Sequence, residues 1–468
     1  MIRQIKSLLN KLQIDWISPV SASQLYTCIV SLTLLGGCAS YGKIVNESLD
    51  PGETQSEYSL SGFQKRVQSS GQSDEIAIIL AFSGGGTRAA AMAYGVMETL
   101  RDTPIRTAAG DIRLLDEVDH ISSVSGGSFT AAFYGLHGEK FFDIFEDRFL
   151  RLDINKALGR KLMNPVLWFS KKGRTESAIE YYEKALFHGA TYSDMIKPGR
   201  PMIIINASDL AYGVRFSFIQ DYLKLLCTDI SSFPVARAVA ASSAVPVVFN
   251  PVILENHSGC NTDKIAWPVD IDSSRANNAE LNDLYTGLQT FQDKENRKYI
   301  HLVDGGITDN MGLRAIYDLI QVAGGPAQYL EKTGEQKHRR VVVISVNASN
   351  NPITEMNKSN KQPSMLESMN AMSGVQLHRY NSSTLEVLES NLAEWAEELS
   401  TPESPVTSYF IPVSFEGIDQ PQLRYFLNKI PTTFSLNDEQ VDALTESGRT
   451  VLKENPVFQQ LLLDLAQP

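Results

Sequence analysis

The chain has 468 residues, of which 43% are hydrophobic and 21% are charged. This composition is typical of a globular protein with a substantial core, and the length suits one large α/β domain with extensions or two to three ordinary domains. The formal net charge of −12 argues against a general nucleic-acid-binding role, because such proteins carry excess positive charge, so no nucleic-acid partner is expected.

The N-terminal residues carry the pattern of a bacterial export signal. A basic stretch that contains Arg3, Lys6 and Lys11 precedes an apolar run over residues 25–35. The apolar run is shorter than the ~20 residues of a membrane-spanning helix. The run ends in Leu-Gly-Gly-Cys, with Cys38 as the cysteine, and this sequence resembles a lipobox. We therefore expect a signal peptide over residues 1–37 and lipid on Cys38. Because Ala39 follows, the lipid-anchored protein is expected at the outer membrane, facing the periplasm. The alternative is an ordinary cleaved signal with an incidental cysteine.

Beyond the signal, the chain divides into three predicted parts. Residues 38–73 hold the lipidated cysteine and a polar tether rich in Ser, Gly, Gln and Glu. The folded domain is expected over residues 74–456, and residues 457–468 are expected to form a C-terminal tail.

Two cysteines, Cys227 and Cys260, would remain in the mature domain besides the lipidated Cys38. An even pair in an oxidising compartment is compatible with a disulfide. Two buried free thiols are the alternative, because cysteine is also a common core residue.

The elements predicted in chain order alternate between buried strands and helices. An apolar run over residues 76–82 suits a strand buried on both faces, and an Ala- and Met-rich segment after three glycines suits a helix over 87–101. A second strand over 118–124 leads into another helical stretch and completes a βαβ unit. This layout predicts a three-layer α/β/α fold with a mainly parallel central sheet and helical additions. Further strands are expected over 202–206, 300–303 and 341–346, and a last helix over 438–452.

The first candidate site is the sequence Ser-Gly-Gly-Gly-Thr-Arg at residues 83–88, between a predicted strand and a helix. Glycines permit unusual backbone conformations and expose N–H groups at a helix N-terminus, where an oxyanion or a phosphate is favoured. The glycine spacing also fits a dinucleotide fingerprint, but the second strand ends in serines where that fingerprint needs an acidic residue. A P-loop is excluded because no Gly-Lys-Ser/Thr sequence follows.

The second candidate site is Ser125, where the second strand meets its helix. A nucleophile elbow needs small residues two positions before and two positions after the serine, because the strained turn crowds the backbone. Gly127 meets this need, whereas Ser123 stands where glycine is usual. The N–H group of Gly126 would lie close to a substrate oxyanion. The alternative is a purely structural glycine-rich turn.

The third candidate site is Asp304, followed by Gly305 and Gly306 directly after a predicted buried strand. An aspartate at the carboxyl end of a strand in an α/β sheet lies where ligands bind. The alternative is a turn former, because Asp-Gly is a common turn dipeptide.

These three motifs in this order resemble the patatin-like phospholipases. The resemblance extends over about residues 74–455 and includes Pro-Thr-Thr-Phe at 431–434. It implies that Ser125 is the nucleophile and Asp304 its base. It also implies oxyanion donors and supporting residues, with Arg88 bracing the loop or a substrate phosphate. The implied donors are Gly84, Gly85, Gly86 and Gly126, and the supporting residues are Arg88, Gly127, Gly305 and Gly306.

A histidine base is not expected beside the serine. His301 lies three residues before Asp304 on a strand, so alternation sends the two side chains to opposite faces. His137 lies twelve residues after Ser125, which is ~18 Å along a continuous helix. His120 belongs to the strand that enters the elbow and is expected to be structural. A Ser–Asp dyad is therefore predicted, with burial raising the pKa of the aspartate.

The predicted activity is hydrolysis of lipid esters, in particular of phospholipids, with no cofactor and no metal. The alternatives are a carboxylesterase or thioesterase acting on soluble acyl groups, and an inactive envelope lipid-binding protein. The predicted partners are the lipid substrate and a membrane surface, reached through the anchor and through residues 154–174. That segment combines six basic residues with eight large apolar ones and has no acidic residue, a composition that favours an anionic lipid interface. A core helix with a basic solvated face is the alternative.

Overall fold

A computed structural model describes residues 41–49, 57–70, 75–107, 110–154, 156, 173–246, 248–260, 279–351 and 355–466. The predicted signal over 1–37, Cys38 and nearly all of the segment 154–174 lie outside these residues. No helix in the described ranges is long and apolar enough to cross a membrane.

The described residues contain a mixed eight-stranded sheet, together with a separate two-stranded hairpin of β2 and β3. The order of the main path is β10-β9-β1-β4-β5-β8-β7, and β6 pairs with β5 outside that path. The five strands from β10 to β5 are parallel, whereas β6, β7 and β8 join by antiparallel pairing. The strands are β1 Ile76–Phe82, β2 Pro104–Thr107, β3 Gly110–Arg113, β4 Val118–Val124, β5 Met202–Asp209, β6 Arg215–Ser217, β7 Val252–Glu255, β8 Tyr299–Asp304, β9 Arg340–Asn347 and β10 Thr407–Ser414.

Helices cover both faces of the sheet, which gives the predicted three-layer α/β/α architecture. The described α-helices are α1 Leu60–Ser70, α2 Thr87–Arg101, α3 Gly126–His137, α4 Phe141–Phe145, α5 Arg174–Tyr182, α6 Gln220–Leu223, α7 Val235–Ser242, α8 Ala279–Gln289, α9 Gly306–Asp309, α10 Arg314–Ala323, α11 Pro326–Thr333, α12 Met365–Leu399, α13 Pro421–Lys429, α14 Asp438–Glu454 and α15 Pro456–Leu465.

Strand alternation divides β1 between the two helical layers. Ile78, Leu80 and Phe82 join the main core, which also contains α2 and α3. Ala81 instead joins a second core cluster that is completed by Trp395 and other residues of α12. The continuous apolar run therefore buries both faces of a central strand, as the sequence predicts for a parallel sheet.

Helices α2 and α14 lie unusually close to each other on the first face. A Cβ atom at Gly95 would overlap the carbonyl oxygen of Thr445, and one at Gly448 would overlap that of Met92. Glycine at these two positions lets the backbones come into contact. The C-terminal helix α14 is thereby an integral part of the domain.

Residues 38–73 and 457–468 were predicted to lie outside the folded domain as a tether and a tail. This prediction is wrong for those of them that the structure describes. Residues 41–49 pack on the domain, where the Asn46 side chain donates to Thr228 Oγ1 at 2.8 Å. Tyr58, just before helix α1, and Phe63 within it are no more than 2% exposed. At the other end, α15 buries Phe458 and Leu461. A few large apolar residues anchor each segment, although the average composition around α1 is polar.

A disulfide joins Cys227 to Cys260, with the Cα atoms 5.5 Å apart. Of the two alternatives, the structure therefore shows the disulfide. The carbonyl group of Cys227 also accepts from the N–H of Leu49 at 2.7 Å, so the bridge lies beside the packed N-terminal segment.

Candidate active site

Ser125 occupies a strained turn between β4 and α3. Its φ is 49°, a left-handed conformation that is uncommon for a residue with a side chain. A Cβ atom at Gly126 would overlap the carbonyl oxygen of Gly86, and one at Gly127 would lie 2.7 Å from Phe82 Cβ. The two glycines after the serine are therefore required by the close approach of the turn to β1 and to the glycine-rich loop.

Ser123 and Ser83 stand where the resembled family usually has glycine and aspartate, respectively. Both have structural partners. The hydroxyl of Ser123 is fully buried and donates to the carbonyl of Ile204 at 3.2 Å. The hydroxyl of Ser83 donates to the carbonyl of Gly84 at 3.1 Å and accepts from the N–H of Ala348 at 3.0 Å. Each hydroxyl thus satisfies a buried backbone group.

The side chains of Ser125 and Asp304 form a direct hydrogen bond. Ser125 Oγ donates to Asp304 Oδ2 at 2.9 Å, although the two residues are 179 positions apart in the chain. The other carboxylate oxygen accepts from the N–H of Gly306 at 2.8 Å. The backbone N–H of Asp304 donates to the carbonyl of Ala244 at 3.0 Å. Asp304 is therefore fixed at three points and faces the serine hydroxyl.

Asp304 reaches the serine from a direction that the sequence did not indicate. Strand β8 is antiparallel to β5, and Asp304 pairs with Ala207 near the carboxyl end of β5. The adjacent Asn206 pairs with Val124, directly before Ser125. Asp304 therefore lies at the edge of the sheet where the parallel strands end, and β8 approaches this edge from beyond it.

Burial raises the pKa of Asp304 from 3.8 to about 6, while the hydrogen bonds from Gly306 and Ser125 oppose the rise. The carboxylate is thus ionised at neutral pH, yet it is a stronger base than an exposed aspartate. These properties suit a group that takes a proton from a serine hydroxyl.

The glycine-rich loop is the third part of the site, and it corrects one prediction. The N–H of Gly84 donates to the carbonyl of Asn310 at 2.8 Å, so it is not free to bind an oxyanion. For Gly85, Gly86 and Gly126, no acceptor of the backbone N–H occurs among the described residues. Three of the four predicted donors therefore remain available.

The C-terminal region holds this loop in place. Gly86 forms a parallel bridge with Thr433, and the N–H of Thr87 donates to the carbonyl of Thr433 at 2.8 Å. A Cβ atom at Gly86, whose φ is 64°, would overlap that carbonyl oxygen. The Pro-Thr-Thr-Phe sequence thereby acts as the support of the loop.

Arg88 braces the loop from inside the protein. It is 3% exposed, its Nε donates to the carbonyl of Ala348 at 2.7 Å, and its Nη1 donates to that of Ile430 at 2.6 Å. Burial lowers the pKa of Arg88 to about 10. Of the two predicted roles, the contacts support bracing rather than exposure to a substrate.

Ser242 is a site residue for which the sequence analysis predicted no role. Its hydroxyl accepts from the N–H of Ser125 at 2.8 Å and donates to the carbonyl of Asn206 at 2.6 Å. It therefore links the elbow to β5. A Cβ atom at Gly305 would overlap the same Asn206 carbonyl oxygen, so close packing there also requires glycine. The sequence Ala-Ser-Ser-Ala at residues 241–244, a run of small residues, is the signal that could have indicated Ser242.

The histidines discussed above lie away from the serine and the aspartate. His301 is exposed on β8, His137 ends α3, and His120 is buried on β4 with its pKa lowered to about 4, first by burial and then by His338. In the part of the chain that the structure describes, no histidine hydrogen-bonds to Ser125 or Asp304. The same residues contain no group of three His, Cys, Asp or Glu side chains able to hold a metal ion.

The fold and the paired side chains define an α/β protein suited to acyl transfer. The profile of the patatin-like phospholipase family matches residues 80–317, slightly more than half of the chain, and this range includes the glycine-rich loop, Ser125 and Asp304. The chain therefore belongs to the patatin-like phospholipase family and is a lipid acyl hydrolase.

Solved structures show distant likeness. Human GIVD cytosolic phospholipase A2, in complex with methyl gamma-linolenyl fluorophosphonate, is 12% identical, with 91% of this chain and 69% of that chain covered and a TM-score of 0.39. VipD from Legionella pneumophila is 12% identical, with 92% and 73% covered and a TM-score of 0.31. No curated protein matches the sequence. These scores are too low to support an inference about the site.

Proposed function

We propose that this enzyme hydrolyses the acyl ester bonds of phospholipids, with Ser125 as the nucleophile and Asp304 as the general base. The observation that carries the proposal is the 2.9 Å hydrogen bond between Ser125 Oγ and the buried carboxylate of Asp304. The left-handed backbone of Ser125 is the second support, because it is the geometry of a nucleophile elbow.

The chemistry proceeds in two halves. Ser125 Oγ attacks the ester carbonyl carbon while its proton passes to Asp304, and the carbonyl oxygen becomes an oxyanion. The tetrahedral intermediate collapses, the alcohol leaves with the proton from Asp304, and the acyl group remains on Ser125. Water then attacks the acyl-enzyme and passes a proton to Asp304. When the tetrahedral intermediate collapses, this proton moves from Asp304 to Ser125 Oγ as the fatty acid leaves, which restores both groups.

The oxyanion is bound by backbone N–H groups of Gly85, Gly86 and Gly126. Gly126 follows the nucleophile directly and packs against Gly86, so the elbow and the loop offer donors from two sides. Each such donor typically contributes ~3 kcal/mol to transition-state stabilisation. Arg88 supports the loop through its two carbonyl contacts and takes no part in the chemical steps.

A fluorophosphonate probe and a substrate panel test this proposal. Wild-type protein should be labelled on Ser125 and should release fatty acid from phospholipid vesicles. Ser125→Ala should lose both properties, and Asp304→Asn should lose turnover. His301→Ala is the matched control, because His301 lies on the same strand as Asp304 but points to solvent, and it should keep full activity.

The results also separate the alternatives. Faster turnover of a soluble short-chain ester or thioester than of any vesicle would assign the enzyme to soluble acyl substrates. Absence of labelling and of turnover in folded protein would indicate a lipid-binding protein without catalysis. Near-wild-type turnover in either dyad variant would refute the Ser–Asp assignment.

Attachment to the membrane is proposed on the sequence pattern. Lipid on Cys38 would hold the enzyme at the outer membrane facing the periplasm, and residues 154–174 would contact the lipid surface. Cys38→Ser should move the protein out of the membrane fraction, and an intact mass without lipid on Cys38 would refute the anchor.

Replacement of Lys171 and Lys172 by Glu should lower activity on anionic vesicles but spare a soluble ester, whereas equal losses would indicate a folding role.

A further inference from the structure

A cavity lies on the face of the sheet opposite to helix α3, which follows Ser125. Its floor is formed by small and aliphatic residues of β1 and β9, including Ala77, Ile79 and Val343. Its walls come from α10, α11 and α12, where Leu392 and Trp395 line it. The cavity has a volume of about 90 Å³. This is several times the ~10–15 Å³ that a single water needs, so the space can admit a slender ligand.

Two polar atoms in this largely aliphatic cavity have no partner. His120 Nε2 and Glu335 Oε2 are buried and make no hydrogen bond to any residue that the structure describes, and both side chains line the cavity. His120 as a whole is 5% exposed. A buried unpaired polar group typically costs ~1–3 kcal/mol, so a hydrogen-bonding partner for each atom is expected in the cavity.

The cavity is separate from the Ser125 site. His120 precedes Ser125 by five residues on β4, which is ~16 Å along a strand. The floor residues Ala77 and Val341 lie at the amino ends of their strands, whereas Ser125 lies at the carboxyl end of β4. A ligand in this cavity would therefore not occupy the position of the reacting ester.

We propose that this cavity binds a single-chain lipid whose head group is an uncharged hydroxyl. The alkyl chain lies along the aliphatic floor beside Trp395. The hydroxyl donates to Glu335 Oε2 and accepts from His120 Nε2, so one group satisfies both buried atoms. Water alone fits less well, because ordered water needs two to four polar partners and most of this cavity offers none.

The charges around the polar atoms select against an anionic head group. Burial, followed by the nearby Glu335, raises the pKa of Asp119 well above its usual range. Burial also raises the pKa of Glu335 to about 7. At neutral pH His120 is uncharged, because its pKa is about 4. At neutral pH the Glu335 carboxyl at the polar end is thus partly ionised, and the basic side chains that line the cavity beside it are His338 and Lys337, whose ammonium group donates to the carbonyl of Ser404. A fatty-acid carboxylate has no proton to donate to Glu335 Oε2, and it would be repelled by the ionised fraction of that carboxyl.

Quenching of tryptophan fluorescence by bromine can test this inference directly. The titrant is bromoundecanol, which carries bromine on the carbon at the far end from the hydroxyl. Because Trp395 lines the cavity, saturable quenching is expected, and Trp395→Phe should lose the saturable component. Trp168 and Trp267, which lie in the mature chain, are retained in that variant, so they report any binding elsewhere.

Two comparisons define the head group. Bromoundecanoate should bind at least roughly tenfold more weakly than the alcohol at neutral pH, as expected for loss of about one hydrogen bond plus repulsion. Glu335→Leu should weaken the alcohol roughly tenfold while leaving bromoundecane unchanged and ester hydrolysis at the wild-type rate. Melting curves of both variants establish that they are folded.

Three results would overturn the inference. The first is the absence of saturable quenching in wild-type protein, which would mean that the cavity holds solvent or another part of the chain. The second is quenching that persists in Trp395→Phe, which would place the ligand elsewhere. The third is equal affinity for the alcohol and the carboxylate. None of these results depends on the catalytic role of Ser125, so this inference can fail while the proposed hydrolysis stands.

Discussion

Asp304→Asn should inactivate the enzyme and at the same time make it more stable at neutral pH. Asp304 is 8% exposed and has no described cation as a partner in its hydrogen bonds. Asparagine has nearly the same shape, so its oxygen can still accept from Gly306 and its NH₂ group can donate to Ser125. The substitution therefore removes a buried negative charge without leaving a cavity.

The magnitude follows from the pKa of the carboxyl group. A rise from 3.8 in the unfolded chain to about 6 in the fold corresponds to roughly 3 kcal/mol of cost for ionising the buried group. Asparagine avoids this cost. For a domain of roughly 400 residues, a gain of about 3 kcal/mol raises the melting temperature by roughly 4 °C.

The direction of the pH dependence is fixed by the same shift. Below about pH 4 the carboxyl is protonated in both states, so the wild type pays no cost. As pH rises towards about 6, the unfolded chain releases the proton while the fold retains it, and the wild type loses stability relative to the variant. The difference between the two proteins should therefore grow through this window and stay constant above it.

Melting temperatures measured from about pH 4 to about pH 8, together with turnover, would show both effects. Turnover should fall by roughly 10²–10⁴-fold, as expected for loss of a general base. Ser125→Ala is the matched control, because it is equally inactive but keeps the buried carboxylate and should gain no such stability. A variant no more stable than the wild type at any pH would refute the reasoning that burial poises Asp304 as a base.

Three further predictions concern the same architecture. The pH profile of kcat/KM should rise and level off above about pH 6, since ionised Asp304 is the required form; a profile with its midpoint near the pKa of an exposed aspartate would contradict this. Gly126→Ala should cut turnover by at least ~100-fold, because the new Cβ overlaps Gly86, whereas Gly374→Ala in open space on α12 should be silent in the same assay. Removal of the Cys227–Cys260 disulfide, which spans 33 residues, should lower the free energy of unfolding in denaturant by about 3–4 kcal/mol with activity retained in the folded enzyme, and an unchanged midpoint would count against it.

The sequence predicted the central sheet well where its strands are apolar runs, as in β1 and β9, because a sheet covered on both faces buries such runs. The strands at 76–82 and 118–124 have the predicted bounds, and the strand predicted over 341–346 extends by one residue at each end. The direction of β8 could not be predicted, since the sequence of a six-residue strand does not indicate whether its neighbour is parallel or antiparallel. Only the pairing of Asp304 with Ala207 shows it.

The site residues were predictable where chemistry demands a residue type, and not where packing decides the role. Ser125 and Asp304 could be named from their motifs. The hydrogen bond from the N–H of Gly84 to the carbonyl of Asn310, in contrast, joins segments that are 226 residues apart in the chain, so no local pattern indicates it. The packing of residues 41–49 and α1 was missed for a similar reason. Their average composition is polar, and burial of Tyr58 and Phe63 depends on a surface that other segments build.

The C-terminal region belongs to the active site even though the family profile ends at residue 317. Gly86 and Thr87 are held by Thr433, and the two carbonyl groups that fix Arg88 belong to Ala348 and Ile430. Each of these contacts comes from beyond the matched range. The loop that we propose as the oxyanion hole is therefore positioned by residues that the family match does not cover. A fragment that ends near residue 317 would keep Ser125 and Asp304 but lose the support of the loop, so we expect such a fragment to lose ester hydrolysis, and full activity in it would contradict this role of the C-terminal region.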